Sequence, residues 1–329
     1  FSLFGYDPVK TNVGRGLLSA AGVDFPMTER DLFMRVNFAT IDREGRVIDR
    51  RAGRIDTEEN RRICRKLKDR VKLPAGIEAF FETEKEHRAL FVLRGDGLQE
   101  EIGETDPQKT REFPHPPAAL IPEAAATAGL IRSLMDQSKA ILADEEKANM
   151  VLFRGYSRFH RFAGMEERFG LNALAIASYP MYRGISRLLG MTVAPQTATI
   201  EEEIQTLERC YNDYDFFFVH VKPTDSRGED GDFEAKVKVI EEVDTFIPRI
   251  TALEPDVLVV TGDHSTPAAL AGHSWHPVPA ILAAKTCRPD GVARFGERDC
   301  VAGGLGRMPM VYLMGLALAH ARRLEKFGA

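Results

Sequence analysis

Apolar and polar positions along the chain follow two different rhythms. In residues 32–49 the run LFMRVNFATID, the tripeptide Arg43-Glu44-Gly45 and the run RVID alternate on both sides of a turn, which predicts a β-hairpin. Thr57–Arg70 (TEENRRICRKLKDR) reads as a charged helix with its N-cap in Thr57-Glu58-Glu59-Asn60. Residues 77–82 and 87–94 read as two further strands. Residues 107–122 hold five of the 18 prolines and must form a loop. Residues 124–150 then read as one or two helices. The first half therefore predicts an α+β domain built on an antiparallel sheet.

The second half alternates strand and helix. Residues 173–178 (ALAIAS) form a short apolar strand, followed by a helix through 189. A helix over 200–211, a buried strand over 216–221 (FFFVHV), a helix over 233–253 and a strand over 257–261 (VLVVT) follow. A strand-like AILAA closes the series. This order predicts a parallel, doubly wound α/β sheet covered on both faces. The boundary falls near 155–172, where Gly155, Gly164 and Gly170 flank a basic segment, dividing the chain into 1–160 and 161–329.

Composition narrows the function classes. The chain has 329 residues, enough for about two domains. Its 44% hydrophobic and 28% charged content excludes a disordered or collagen-like chain. A net charge of −5 argues against bulk nucleic-acid or anionic-membrane binding. The apolar run 308–319 is too short to span a membrane and reads as a buried helix. No signal peptide is expected. The scattered Cys64, Cys210, Cys287 and Cys300 form no C-x-x-C pair, which fits a reducing cytoplasm better than a zinc knuckle.

Polar side chains gather just after the strands of the second half. One loop reads KPTDSRGEDGD from Lys222, the next GDHSTP from Gly262, the third HSWHPVP from His273. In open α/β sheets, ligands bind beyond the carboxyl ends of strands. Any one such loop alone reads first as a turn; three in succession read as a ligand site. Their Asp and His donors suit Mn²⁺ or Zn²⁺ better than Ca²⁺. His320, on a C-terminal helix, reads as surface or core filling.

TGDHSTP at 261–267 and HSWHPVP at 273–279 resemble the archaeal-type, cofactor-independent phosphoglycerate mutases of the alkaline phosphatase superfamily. The resemblance extends to LFGYDP at 3–8, GRG at 14–16, EHRA at 86–89, TDP at 105–107 and Arg154-Gly155, and so spans nearly the whole chain. It implies an alkaline-phosphatase-like doubly wound sheet with an inserted α+β substrate domain. It also implies two divalent metal ions, no 2,3-bisphosphoglycerate, and interconversion of 3- and 2-phosphoglycerate through a phosphoserine. Mn²⁺ leads the candidate ions, followed by Zn²⁺, Co²⁺ and Mg²⁺. The partner implied is a small phosphorylated three-carbon acid. Oligomeric state is not legible.

Carried over residue by residue, Asp225 and His273 match ligands of one metal, and Asp263 and His264 ligands of the other. Arg154 resembles a substrate-clamping arginine, and Arg183 stands where the family often has lysine. Arg88 and Asp106 are further substrate-site candidates. The family pattern departs at Glu229, which replaces a metal-ligating histidine, and shifts the expected preference toward Mn²⁺ or Mg²⁺. Glu104 stands where Asp is common. The family's first strand and nucleophilic serine are expected upstream of Phe1, so the chain alone is expected to be inactive. Two alternatives stay open: a metal-dependent phosphatase or phosphotransferase of the same superfamily, and a non-catalytic metabolite-binding descendant.

Overall fold

A computed structural model describes residues 1–11 and 13–324. In chain order the elements are α1 (Arg15–Gly22), β1 (Asp31–Ile41), β2 (Val47–Asp49), α2 (Thr57–Arg70), β3 (Glu78–Lys85), β4 (Arg88–Arg94), α3 (Ala125–Ile141) and β5 (Met150–Arg158). There follow α4 (Met165–Phe169), β6 (Ala173–Ala177), α5 (Pro180–Leu188), β7 (Thr192–Val193), α6 (Ile200–Cys210), β8 (Phe216–His220) and α7 (Pro223–Glu229). The last are α8 (Phe233–Ala252), β9 (Val257–Thr261), β10 (Ala280–Ala284), α9 (Glu297–Cys300) and α10 (Leu313–His320). No helix among the described residues is long and apolar enough to cross a membrane.

The chain forms two compact units. One comprises Val13–Gly170 and Pro180–Met191; the other comprises Phe1–Asn12, Leu171–Tyr179 and Thr192–Ala329.

The first unit is α+β. Its sheet runs β2-β1-β4-β3, with β5 against β1, and every pairing is antiparallel. β1 is buried on both faces: Met34, Val36 and Phe38 pack with Phe91, Phe153, Ile63 and Ile131, while Phe33 packs with Leu17, Phe25 and Leu188. That explains the unbroken Leu32-Phe33-Met34 run that interrupts the alternation of this segment, since a strand with one wet face would alternate throughout. α2 buries Asn60, Ile63, Cys64 and Leu67, spaced as one helical face. Its cap is Asp56, whose side chain accepts from the Glu59 N–H at 2.8 Å, one residue before the expected cap. Residues 124–150 hold a single long helix, α3. Met150 instead opens β5, a strand that the helical reading of this stretch missed.

The second unit is α/β. β6 lies between β7 and β8, parallel to both. β9 and β10 form a separate pair, and it is antiparallel, with Thr261 opposite Ala280. Among the described residues the unit thus holds two sheets, one parallel and one antiparallel, rather than the single parallel sheet the sequence predicts. The reason is local: the loop 262–279 folds back on itself and returns the chain beside the strand it left. β8 and β9 are half-buried along their length, not buried as their composition suggested. Leu174, Ile176 and Leu207 form the unit's core with Phe217, Val219 and Ile250.

Candidate metal centre

Two connections at the strand ends build the centre, both within the α/β unit. β8 runs into Lys222 and α7, which places Asp225 in the first turn of that helix. β9 runs into Asp263 and His264, and the return loop carries His273. The Ser274 N–H donates to the Ser265 carbonyl at 2.9 Å, an isolated antiparallel bridge that pins the two arms of the loop together. The imidazoles of His264 and His273 consequently lie 4.3 Å apart, centre to centre.

One ligand atom from each of Asp225, His264 and His273 lies within 4.8 Å of the other two. Asp225 Oδ1 is 3.4 Å from His273 Nε2 and 3.8 Å from His264 Nε2. The other two expected ligands stand at the margins. Asp263 Oδ2 is 3.5 Å from His264 Nε2, and Glu229 Oε1 is 3.5 Å from His273 Nε2. Two imidazole nitrogens with one to three carboxylates make a mixed donor set that fits a borderline divalent cation, whereas Ca²⁺ takes oxygen only.

The electrostatics favour ligating forms. Burial pushes the Asp225 carboxyl up, but hydrogen bonds from Lys222 and Thr266 outweigh this and hold it below the usual carboxylate range. The Lys222 ammonium is itself held 4.8 Å over the Tyr179 ring. His220, at the end of β8, is pushed down to about 4 by burial, against the pull of Asp263, and is neutral at physiological pH.

The expected substrate residues all belong to the α+β unit. Arg154 and Asp106 come together, with Arg154 Nη1 3.6 Å from Asp106 Oδ2 and Arg154 Nε 3.3 Å from Glu104 Oε2. Arg88 lies exposed at the start of β4. Arg183 is half-buried on α5, where burial and the neighbouring Arg187 lower its pKa. Sequence reasoning missed Arg50, which binds Asp106 with two hydrogen bonds, and the roles of Lys222 and Thr266 at Asp225. Lys222 and Thr266 sat within loops already singled out; nothing in the sequence separates Arg50 from its neighbour Arg51. His320 does find a partner, the Thr286 hydroxyl at 2.7 Å.

An α/β unit with these donors at its strand ends is that of a metalloenzyme, and a family model described as the Metalloenzyme superfamily matches residues 131–320. A second, described as 2,3-bisphosphoglycerate-independent phosphoglycerate mutase, matches residues 1–148. The chain is 48% identical over 331 residues to a probable 2,3-bisphosphoglycerate-independent phosphoglycerate mutase of Thermus thermophilus, covering 100% of this chain and 82% of that protein. A protein of the same name from Aquifex aeolicus is 45% identical over 335 residues, covering 99% and 82%. Among solved structures, a Pyrococcus horikoshii protein superposes with TM-score 0.82 at 27% identity, covering 100% of this chain and 83% of that one. The cofactor-independent phosphoglycerate mutase of Thermoplasma acidophilum shares the fold, with TM-score 0.73 at 24% identity, covering 97% and 84%. The chain belongs to the 2,3-bisphosphoglycerate-independent phosphoglycerate mutase family, and its enzymatic class is that of an isomerase.

Proposed function

We propose that the protein interconverts 3-phosphoglycerate and 2-phosphoglycerate at a divalent metal centre held by Asp225, His264 and His273, with Asp263 and Glu229 completing the donors for two ions. The observation that carries this reading is the convergence of the three ligand atoms within 4.8 Å at the ends of β8 and β9. Divalent ions there would neutralise the charge of a transferring phosphoryl group and activate an attacking hydroxyl. Mn²⁺ is the first candidate, since the added carboxylate of Glu229 hardens the donor set.

The chain's own residues do the rest. Lys222 and Thr266 keep Asp225 ionised and oriented. The α+β unit serves as the substrate domain. Arg154, fixed between Glu104 and Asp106, offers a planar fork suited to a carboxylate or phosphate, and Arg183 and Arg88 add positive charge. Asp106, the remaining substrate-site candidate, orients Arg154 and Arg50. Free thiols at all four cysteines accord with a cytoplasmic location.

The test is turnover of 3-phosphoglycerate by the full-length protein after stripping with EDTA. We expect 2-phosphoglycerate to form only when Mn²⁺ is returned, and Asp225→Asn to lower the metal content. Release of inorganic phosphate without 2-phosphoglycerate would favour the phosphatase alternative. An unchanged metal content in Asp225→Asn would refute the ligand assignment.

A further inference from the structure

Thr266 lies two residues beyond His264, and only 4% of its surface is exposed. Its backbone is held from two sides. The Thr266 carbonyl accepts from Lys236 Nζ at 2.6 Å, and it approaches α7 so closely at Gly228 that a Cβ there would collide with it. Its methyl group also faces Gly228, which leaves the hydroxyl a single direction, and a β-branched side chain has little freedom to choose another. In that direction Thr266 Oγ1 donates to Asp225 Oδ1 at 2.5 Å and lies 3.1 Å from His264 Nδ1.

The proton count settles the roles. A hydroxyl has one hydrogen to donate and two lone pairs to accept with. The Asp225 carboxylate, ionised beside Lys222, can only accept, so the hydroxyl hydrogen goes to Asp225. The contact with His264 then needs a hydrogen on Nδ1. The chain of bonds runs from His264 Nδ1–H to Thr266 Oγ1–H to Asp225 Oδ1. A neutral imidazole protonated on Nδ1 carries its lone pair on Nε2. That atom is the one facing the carboxylates, 3.8 Å from Asp225 Oδ1 and 3.5 Å from Asp263 Oδ2.

We propose that Thr266 is a positioning residue that fixes His264 in the Nδ1–H tautomer and couples its orientation to that of Asp225. Thr266 is not itself one of the candidate ligands; one side chain aligns two of them from two different loops. The consequence for metal affinity rests on the metal-centre reading above, whereas the tautomer does not.

The decisive measurement is ¹⁵N NMR of histidine-labelled, metal-free, full-length protein at a pH where His264 is neutral. We expect His264 Nδ1 to be protonated and Nε2 to carry the lone pair; the opposite tautomer overturns the proposal. In calorimetric titration with Mn²⁺ alone, Thr266→Val should weaken binding about 10- to 100-fold, as loss of an outer partner does elsewhere. Thr266→Ser, which restores the hydroxyl, should recover most of that loss. A purely structural role would lower the melting temperature in Thr266→Val without changing the tautomer or the Mn²⁺ affinity of the folded protein, and that result also overturns the proposal. Should Thr266→Val not fold, the parent's tautomer and the serine variant still decide. Parent protein that shows the Nδ1–H tautomer but binds no Mn²⁺ would defeat the metal-centre reading and leave this one standing.

Discussion

Arg50 grips Asp106 in a two-pronged pair, with its Nε and Nη2 donating to the two carboxylate oxygens at 2.9 and 2.8 Å. The Asp106 side chain is completely buried, and Arg154 approaches the same carboxylate at 3.6 Å. Burial alone would raise the carboxyl's pKa, but hydrogen bonds from Arg50 and the Gln108 N–H, with the charge of Arg154, bring it below the usual carboxylate range. A depressed acid contributes stability above its ordinary pKa and loses it as pH falls through the folded value. Asp106→Asn, which leaves two guanidiniums without their shared anion, should therefore destabilise the protein by about 3 kcal/mol at pH 7. Urea denaturation at pH 7 and at pH 3 checks this: the gap between variant and parent should narrow in acid.

Arg154 is braced by Glu104 and Asp106, so its fork is oriented before any anion arrives. Arg154→Lys keeps the charge and loses the planar double donor. We expect kcat/KM for 3-phosphoglycerate to fall about 100-fold in both Arg154→Lys and Arg154→Ala, equivalent to about 3 kcal/mol. Steady-state kinetics with melting curves in parallel separates this from loss of fold. Unchanged kinetics in the lysine variant would remove Arg154 from the substrate site.

The hairpin and α2 were legible because their signals are local: alternation about a turn, and an apolar face with acidic residues at one end and basic at the other. The cap of α2 was misplaced by one residue because Asp56 and Thr57 are both good caps, and only the bond to the Glu59 N–H chooses between them. β5 was not legible. Its apolar run is short and broken by Arg154 and Gly155, and it becomes a strand by pairing with β1, more than a hundred residues earlier. The loops that carry the five metal candidates stood out because strand-end loops of Asp and His are few; of the five, folding gathers ligand atoms of Asp225, His264 and His273 within 4.8 Å of one another. Arg50 and Thr266 were not, because an arginine or threonine gains its role only from partners that folding supplies.

Glu203, on α6, is a buried acid whose side chain, among the described residues, makes one long hydrogen bond. Its side chain accepts from the Thr197 hydroxyl at 3.5 Å through one oxygen, and the other oxygen is buried with no hydrogen-bond partner among the described residues. Burial pushes the carboxyl up to about 7, against the pull of Thr197. The folded state therefore holds a proton that the unfolded chain releases near pH 4.5. Stability from this group is full below pH 4.5 and is lost as pH rises through about 7. Glu203→Gln should match the parent at pH 4 and exceed it by about 3 kcal/mol at pH 8. Thermal melts across that range test it; a stabilisation independent of pH would show that the carboxyl does not titrate in this window.

Gly228 lets α7 and the loop after β9 meet. A Cβ there would run into the backbone carbonyl of Thr266 and come within 3.0 Å of its methyl group, and a backbone oxygen tied to Lys236 cannot swing aside. Gly228→Ala should cost about 2 kcal/mol from overpacking. Because Thr266 would be displaced, its hydroxyl should also lose register with Asp225 and His264, and Mn²⁺ affinity should fall together with the melting temperature. Gly129→Ala is the control. Gly129 is exposed on α3 with open space where its Cβ would be, so alanine should raise stability by about 0.5–1 kcal/mol through helix propensity and leave the metal untouched. Melting curves and Mn²⁺ titrations of the two variants side by side decide the matter. If Gly228→Ala melts early yet binds Mn²⁺ like the parent, the contact with α7 supports the fold without setting the geometry of the donors.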